Sequence, residues 1–159
     1  MNLEFWINAR QKFQSEELIK LCNACYNLHH NLIQIEMNSK RNFLNPKLIT
    51  ETYMYFREII MILYYLAKEK SEEFVSALGS YNKRGDSVMK DILNIPYEKI
   101  PTIPTFMRVF YELLGTAYLF ISILLDRMKQ HETILAEEII KIVGTEIVFI
   151  EKEKERKTF

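Results

Sequence analysis

Three residues near the N-terminus have side chains of the types that bind zinc in proteins. Cys22, Cys25 and His29 are three and four residues apart, which places them on one side of a helix. Thiolate and imidazole are preferred zinc ligands, and His30 or His131 would extend the set. Both cysteines also lie on an apolar stripe, where a free cysteine behaves as a small hydrophobic residue. We favour that second interpretation and predict no metal, because a structural zinc site usually shows two ligand pairs.

Arg127 and His131 form a nuclease-like candidate. Three residues separate them, so on a helix they lie one turn apart on one face. This spacing is shorter than in helical nucleases of the HEPN type, and the motif of that family is not met. We therefore favour an exposed, charged helix end.

Four charges stand in the two most apolar stretches of the chain: Arg57, Glu58, Arg108 and Glu112. Burial of an unpaired charge is costly, so charges in such helices should be paired. If the two helices pack together, these residues form one internal ionic cluster. The cluster would either fix helix register as a buried salt bridge, which we favour, or bind an anionic, nucleotide-like ligand through its arginines.

No other pattern indicates catalysis. The chain has no Gly-rich phosphate loop, no nucleophile elbow and no HExxH motif. We therefore expect no enzyme activity and no cofactor.

Composition and charge predict the fold class and the cellular compartment. With 48% hydrophobic residues and only four glycines and four prolines among 159 residues, the chain should form an all-α bundle. Lys+Arg and Asp+Glu are 21 each, which gives no strong positive field for nucleic acid. Only two cysteines, three residues apart, and an N-terminal segment that contains Glu4 and no long apolar run favour the cytoplasm. The longest uncharged run, between Glu112 and Asp126, is too short to span a membrane.

The spacing of apolar residues predicts five or six helices. The first runs from about Leu3 to about Met37. Asn45 caps the second, which runs from Pro46 to about Lys70. Because this second helix is apolar nearly all round, we expect it at the centre of the bundle.

The middle of the chain predicts two shorter helices and a connector. A third helix follows Ser71 and ends at Gly85, which would supply a left-handed stop. Asp86 would cap the fourth helix. Three prolines within residues 95–104 predict a rigid connector without regular helix.

The last part of the chain predicts two more helices. Thr102 or Thr105 caps the fifth, which runs to about Gln130. A sixth covers residues 134–143. The short apolar run within residues 145–150 fits either a helix or a strand.

These elements predict one helical domain over residues 1–150 and a charged tail over residues 151–159. Ten phenylalanines and nine tyrosines are more than so small a domain can hide, which favours an association patch. We therefore expect a non-catalytic protein that works by contact with a protein partner or with itself as a homo-oligomer. The alternative is a small RNA-binding or nuclease-like module of a defence or mobile-element system, centred on the arginine cluster or on Arg127 and His131.

Overall fold

The computed structural model describes residues 2–40, 45–67, 72–94 and 103–130, and over these ranges the chain is an all-α bundle without strands. The predicted fold class is confirmed. Five helices make up the described part: α1 (Leu3–Lys12), α2 (Glu16–Ser39), α3 (Pro46–Ala67), α4 (Glu72–Asn94) and α5 (Ile103–Gln130). The predictions for residues 95–102, 134–143, 145–150 and 151–159 lie outside the described residues.

The single first helix predicted from Leu3 to Met37 is wrong, because the chain breaks after α1. Phe13 has extended backbone, and its N–H donates to the Arg10 carbonyl in a closing turn. Ser15, also extended, is the N-cap of α2. The break lets α1 fold back along α2, which buries Trp6 against His29.

The second predicted helix begins as expected. The Asn45 side chain accepts hydrogen bonds from the N–H groups of Lys47 and Leu48, at 3.0 and 3.4 Å. Pro46 is the first helical residue, where its missing N–H costs nothing. In contrast, Thr105 lies inside α5 and does not cap it.

The third and fourth predicted helices are one continuous helix, α4. Gly85 does not end a helix. It lies against α3, and a Cβ atom built there would clash with Cε1 of Phe56. Glycine is needed at this position for close approach rather than for a left-handed stop. Asp86 likewise caps nothing and accepts a hydrogen bond from the Tyr53 hydroxyl of α3.

The helices α4 and α5 run antiparallel. Phe74 near the start of α4 stacks on Phe120, ten residues before the end of α5. Further along α4, the Tyr81 and Thr116 hydroxyls lie 2.8 Å apart. Later residues of α4 therefore lie beside earlier residues of α5.

The helix at the centre of the bundle is α5, which packs against each of the other four. The prediction that α3 would be central is wrong. One face of α3 is buried, whereas the opposite face is exposed. The wholly buried side chains of α5 recur along its length: Phe110, Leu113, Leu114, Ala117, Phe120 and Ile121.

The central position of α5 accounts for its composition. The uncharged run between Glu112 and Asp126 was expected to be too short to span a membrane. Among the described residues, however, the longer segment Met107–Asp126, which includes Arg108 and Glu112, is long and apolar enough to cross one by length and composition alone. Half of it is buried inside the bundle. The core helix of a bundle meets the same length and composition criteria, because its buried face is apolar.

Candidate binding surface on α3

The four predicted ligand-binding residues do not form an internal cluster. Arg57, Glu58 and Arg108 are exposed, and Glu112 is half-buried. The helix directs its neighbouring apolar residues inward instead, since Phe56 and Ile59 are completely buried. The expected internal cluster is therefore wrong, because a nearly all-apolar helix gave no sign of which side faced the core.

Two of the four residues do meet, in a surface network that includes a residue missed by sequence reasoning. Glu112 lies 2.6 Å from Arg84 of α4 and 3.3 Å from Arg108 one turn earlier in α5. Arg84 was missed because the sequence placed it at the end of a helix. The network joins α4 to α5, and exposed pairs of this kind each contribute at most about 1 kcal/mol to stability.

The residues of the zinc candidate are part of the core. Cys22 and Cys25 are free and buried, and burial raises the pKa of the Cys22 thiol to about 12. The Nδ1 atom of His29 accepts a hydrogen bond from Nε1 of Trp6 at 3.1 Å, so that nitrogen is already used. Over the described ranges, no group of three or more His, Cys, Asp or Glu residues could hold a metal ion. The nuclease-like pair is not placed, because His131 lies outside those ranges.

The most unusual feature of the described surface is the outer face of α3. Four large apolar side chains, defined here as the α3 outer face, are exposed to solvent: Met54 by 64%, Met61 by 67%, Tyr64 by 48% and Tyr65 by 61%. Single exposed apolar residues are common, but here four lie in solvent on one helix, with the exposed Arg57 and Glu58 between Met54 and Met61.

Two grooves flank this face. The α2–α3 groove, of ≈ 730 Å³, is lined by Glu17, Lys20, Glu51, Met54, Tyr55, Arg57, Glu58, Met61, Ile62 and Tyr65. The α3–α4 groove, of ≈ 530 Å³, is lined by Arg57, Ile60, Met61, Tyr64, Tyr65, Val75, Leu78, Gly79 and Asn82. The two grooves share Arg57, Met61 and Tyr65, whereas Met54 lines only the first.

Charges surround the apolar floor of the α2–α3 groove. Three carboxylates, from Glu17, Glu51 and Glu58, face two cations, Lys20 and Arg57. Lys20 also lies 3.4 Å from a carboxylate one turn earlier in α2. Among the described residues of the rim, carboxylates therefore outnumber cations by three to two.

The hydroxyl of Tyr55 is a hydrogen-bond donor in the same groove. Burial raises its pKa, and the neighbouring carboxylates of Glu51 and Glu58 raise it further. The phenol therefore remains protonated at neutral pH and can donate to a bound chain.

Comparison of the chain with known proteins does not assign a function to this surface. No family model, curated protein or solved structure matches the chain. The α3 outer face is therefore interpreted from its own chemistry.

The exposure of Arg57 leads to a stability prediction. Its guanidinium lies 5.9 Å from the ring centroid of Tyr53, on the solvent side of α3. Arg57→Met should therefore change the free energy of unfolding by less than about 0.5 kcal/mol, as is usual at the surface. Chemical denaturation of both proteins measures this. A loss of about 3 kcal/mol or more, typical of a buried pair deprived of one partner, would contradict it.

Proposed function

We propose that this protein works by protein–protein association, and that its α2–α3 groove binds an amphipathic helix of another protein. The observation that supports this most directly is the α3 outer face, whose four large apolar side chains lie in solvent. Covering these side chains with the apolar face of a helix would stabilise the complex by about 25 cal/mol for each Å² of apolar surface removed from water.

The dimensions of the groove suit a helix. Its lining on α3 extends from Glu51 to Tyr65, a rise of about 21 Å at 1.5 Å per residue. A helix of about four turns has this length and presents apolar residues at every third and fourth position. Met54 and Met61 add a floor of flexible, polarizable side chains that adapts to the partner.

The charges on the rim favour a basic partner over a second copy of this chain. A two-fold contact places the same surface of both copies together, so the excess carboxylates of one groove would meet those of the other. Like charges brought together in an interface are unfavourable. We therefore propose a partner helix whose apolar stripe is flanked by lysine or arginine.

The alternative function, a small RNA-binding or nuclease-like module, has less support. The form centred on the arginine cluster requires Arg57, Glu58, Arg108 and Glu112 to line one open pocket, whereas the form centred on Arg127 and His131 lies partly outside the described residues. Only Arg57 and Glu58 line the α2–α3 groove, and the rim is more negative than positive. Negative charge repels a phosphate backbone.

Photo-crosslinking in the native host tests the proposal. A photo-reactive residue at Glu58, in the groove, should capture one protein, and mass spectrometry of the adduct should map the crosslink to a basic amphipathic helix. Met54→Glu should reduce the yield at least about tenfold, because a charge would be desolvated in the centre of the interface.

Met37→Glu is the matched control, since Met37 is 49% exposed on α2 and lies outside both grooves. It should leave the yield unchanged. Equal losses in the two variants would contradict the proposed site, and an adduct with a second copy of this chain would contradict the proposed partner.

A further inference from the structure

A cavity between α1 and α2 shares no lining residue with the two grooves on α3. Its volume is ≈ 240 Å³, and it is lined by Trp6, Ile7, Arg10, Cys22, Asn23 and Tyr26. Sites for drug-sized ligands usually occupy about 300–1,000 Å³, whereas this α1–α2 cavity has room for roughly eight water molecules at about 30 Å³ each. A ligand of the cavity must therefore be small.

The charged group of the cavity has hydrogen-bond donors to spare. Nη1 of Arg10 donates to Oδ1 of Asn23 at 2.9 Å, which fixes the orientation of the guanidinium. Within the part of the chain that the structure describes, Nε and Nη2 of Arg10 have no acceptor, and Arg10 forms no ion pair. These two nitrogens form an edge that binds a carboxylate through two parallel hydrogen bonds.

The inner wall of the cavity is apolar. Trp6 and Cys22 are each 1% exposed, and Nε1 of Trp6 already donates to His29. Burial raises the pKa of the Cys22 thiol to about 12, while the charge of Arg10 acts in the opposite direction. The thiol is therefore neutral at pH 7 and provides no anionic partner for Arg10. The positive potential of Arg10 nevertheless reaches this wall.

We propose that the α1–α2 cavity binds a small organic carboxylate. The carboxylate accepts hydrogen bonds from Nε and Nη2 of Arg10, and the apolar body of the ligand packs against Trp6 and Cys22. A wholly polar anion would lose its water at the apolar wall without compensation. An uncharged molecule of the same shape would leave the guanidinium without a partner. This proposal does not depend on the function proposed for the α2–α3 groove.

The fluorescence of Trp6, the single tryptophan of the chain, reports binding in the full-length protein. We expect isovalerate, a branched carboxylate, to change this fluorescence with a midpoint of about 1 mM, as for a ligand of few atoms. The melting temperature should increase over the same concentrations, because the ligand binds the folded state. Inorganic phosphate and isovaleramide, measured at the same ionic strength, should cause neither change.

Two variants locate the site. Arg10→Gln should raise the midpoint for isovalerate at least about tenfold, because it removes charge-assisted hydrogen bonds. Asn23→Asp should do the same while it keeps an acceptor for Arg10, because the new carboxylate neutralises the guanidinium. Lys12→Gln is the matched control, since it removes the same charge from an exposed position of α1 outside the cavity. It should leave the midpoint unchanged.

Three results would overturn the proposed carboxylate site. The first is no change in fluorescence or melting temperature up to about 100 mM isovalerate, a hundred times the expected midpoint. The second is equal binding of isovaleramide or of inorganic phosphate. The third is an equal effect of Lys12→Gln and Arg10→Gln on the midpoint.

Discussion

Gly85→Ala should destabilise the bundle by about 1–3 kcal/mol, the usual range for overpacking a core. The new methyl group would clash with Cε1 and Cζ of Phe56. That ring cannot move aside easily, since it is completely buried and meets Phe110 edge to face at 4.8 Å between centroids. The two helices must separate or the ring must leave its rotamer, and both cost free energy.

Gly79→Ala is the matched control in the same helix. A Cβ atom there meets nothing within 4 Å, so alanine should stabilise α4 by about 0.5–1 kcal/mol through its higher helix propensity. Urea denaturation of both variants measures the difference. Adding Phe56→Leu should recover part of the loss in Gly85→Ala. If both glycine variants were stabilised, the close contact between α3 and α4 would be wrong.

Trp6→Phe should cost about 1–3 kcal/mol, because it removes the donor to a buried acceptor. Nε1 of Trp6 donates to Nδ1 of His29 at 3.1 Å, and both residues are buried. The bond requires His29 to be unprotonated at Nδ1. Burial is the main reason that the pKa of His29 lies below its ordinary value of 6.5.

The same bond makes stability depend on pH. Below pH 6.5 the unfolded chain binds a proton at His29, whereas the folded chain does not until the pH reaches the lowered pKa. The contribution of unprotonated His29 to the free energy of unfolding is therefore complete above about pH 7. It decreases as the pH falls from 6.5 to the lowered pKa of the folded state. In His29→Asn the loss in acid should shrink, because the amide oxygen accepts from Trp6 but does not titrate.

His30→Gln is the control for the acid measurement, because His30 is the adjacent residue and is exposed. Urea midpoints between pH 5 and pH 8 should retain the acid loss in this variant. An unchanged acid loss in His29→Asn would show that another group causes it.

The sequence predicted the fold class and several helix boundaries, but not which helix is central. Apolar residues recur at similar spacing in α3 and α5, and both stretches are apolar on most sides of the helix. The two helices differ in their tertiary packing, which cannot be predicted from the spacing of apolar residues within one helix. Gly85 shows the same limit, since a glycine fits both a helix end and a close helix contact.

The sequence predicted that some large apolar side chains would be exposed, but not which ones. An excess of aromatic side chains indicated an exposed patch, yet Met54 and Met61, which contribute most to it, looked like core residues. The interpretation of Arg57 and Glu58 assumed that apolar neighbours imply burial. On a helix with one buried face, adjacent residues point 100° apart, so Phe56 can be buried while Arg57 and Glu58 are exposed.

The central position of α5 has a consequence for synthesis on the ribosome. The four helices that surround α5 all precede it along the chain, so they emerge before the helix that completes their core. Phe56 and Phe74 meet their aromatic partners, Phe110 and Phe120, only after α5 has been made. Folding of the nascent chain is therefore a late event, and the incomplete bundle exposes apolar surface that a chaperone would recognise.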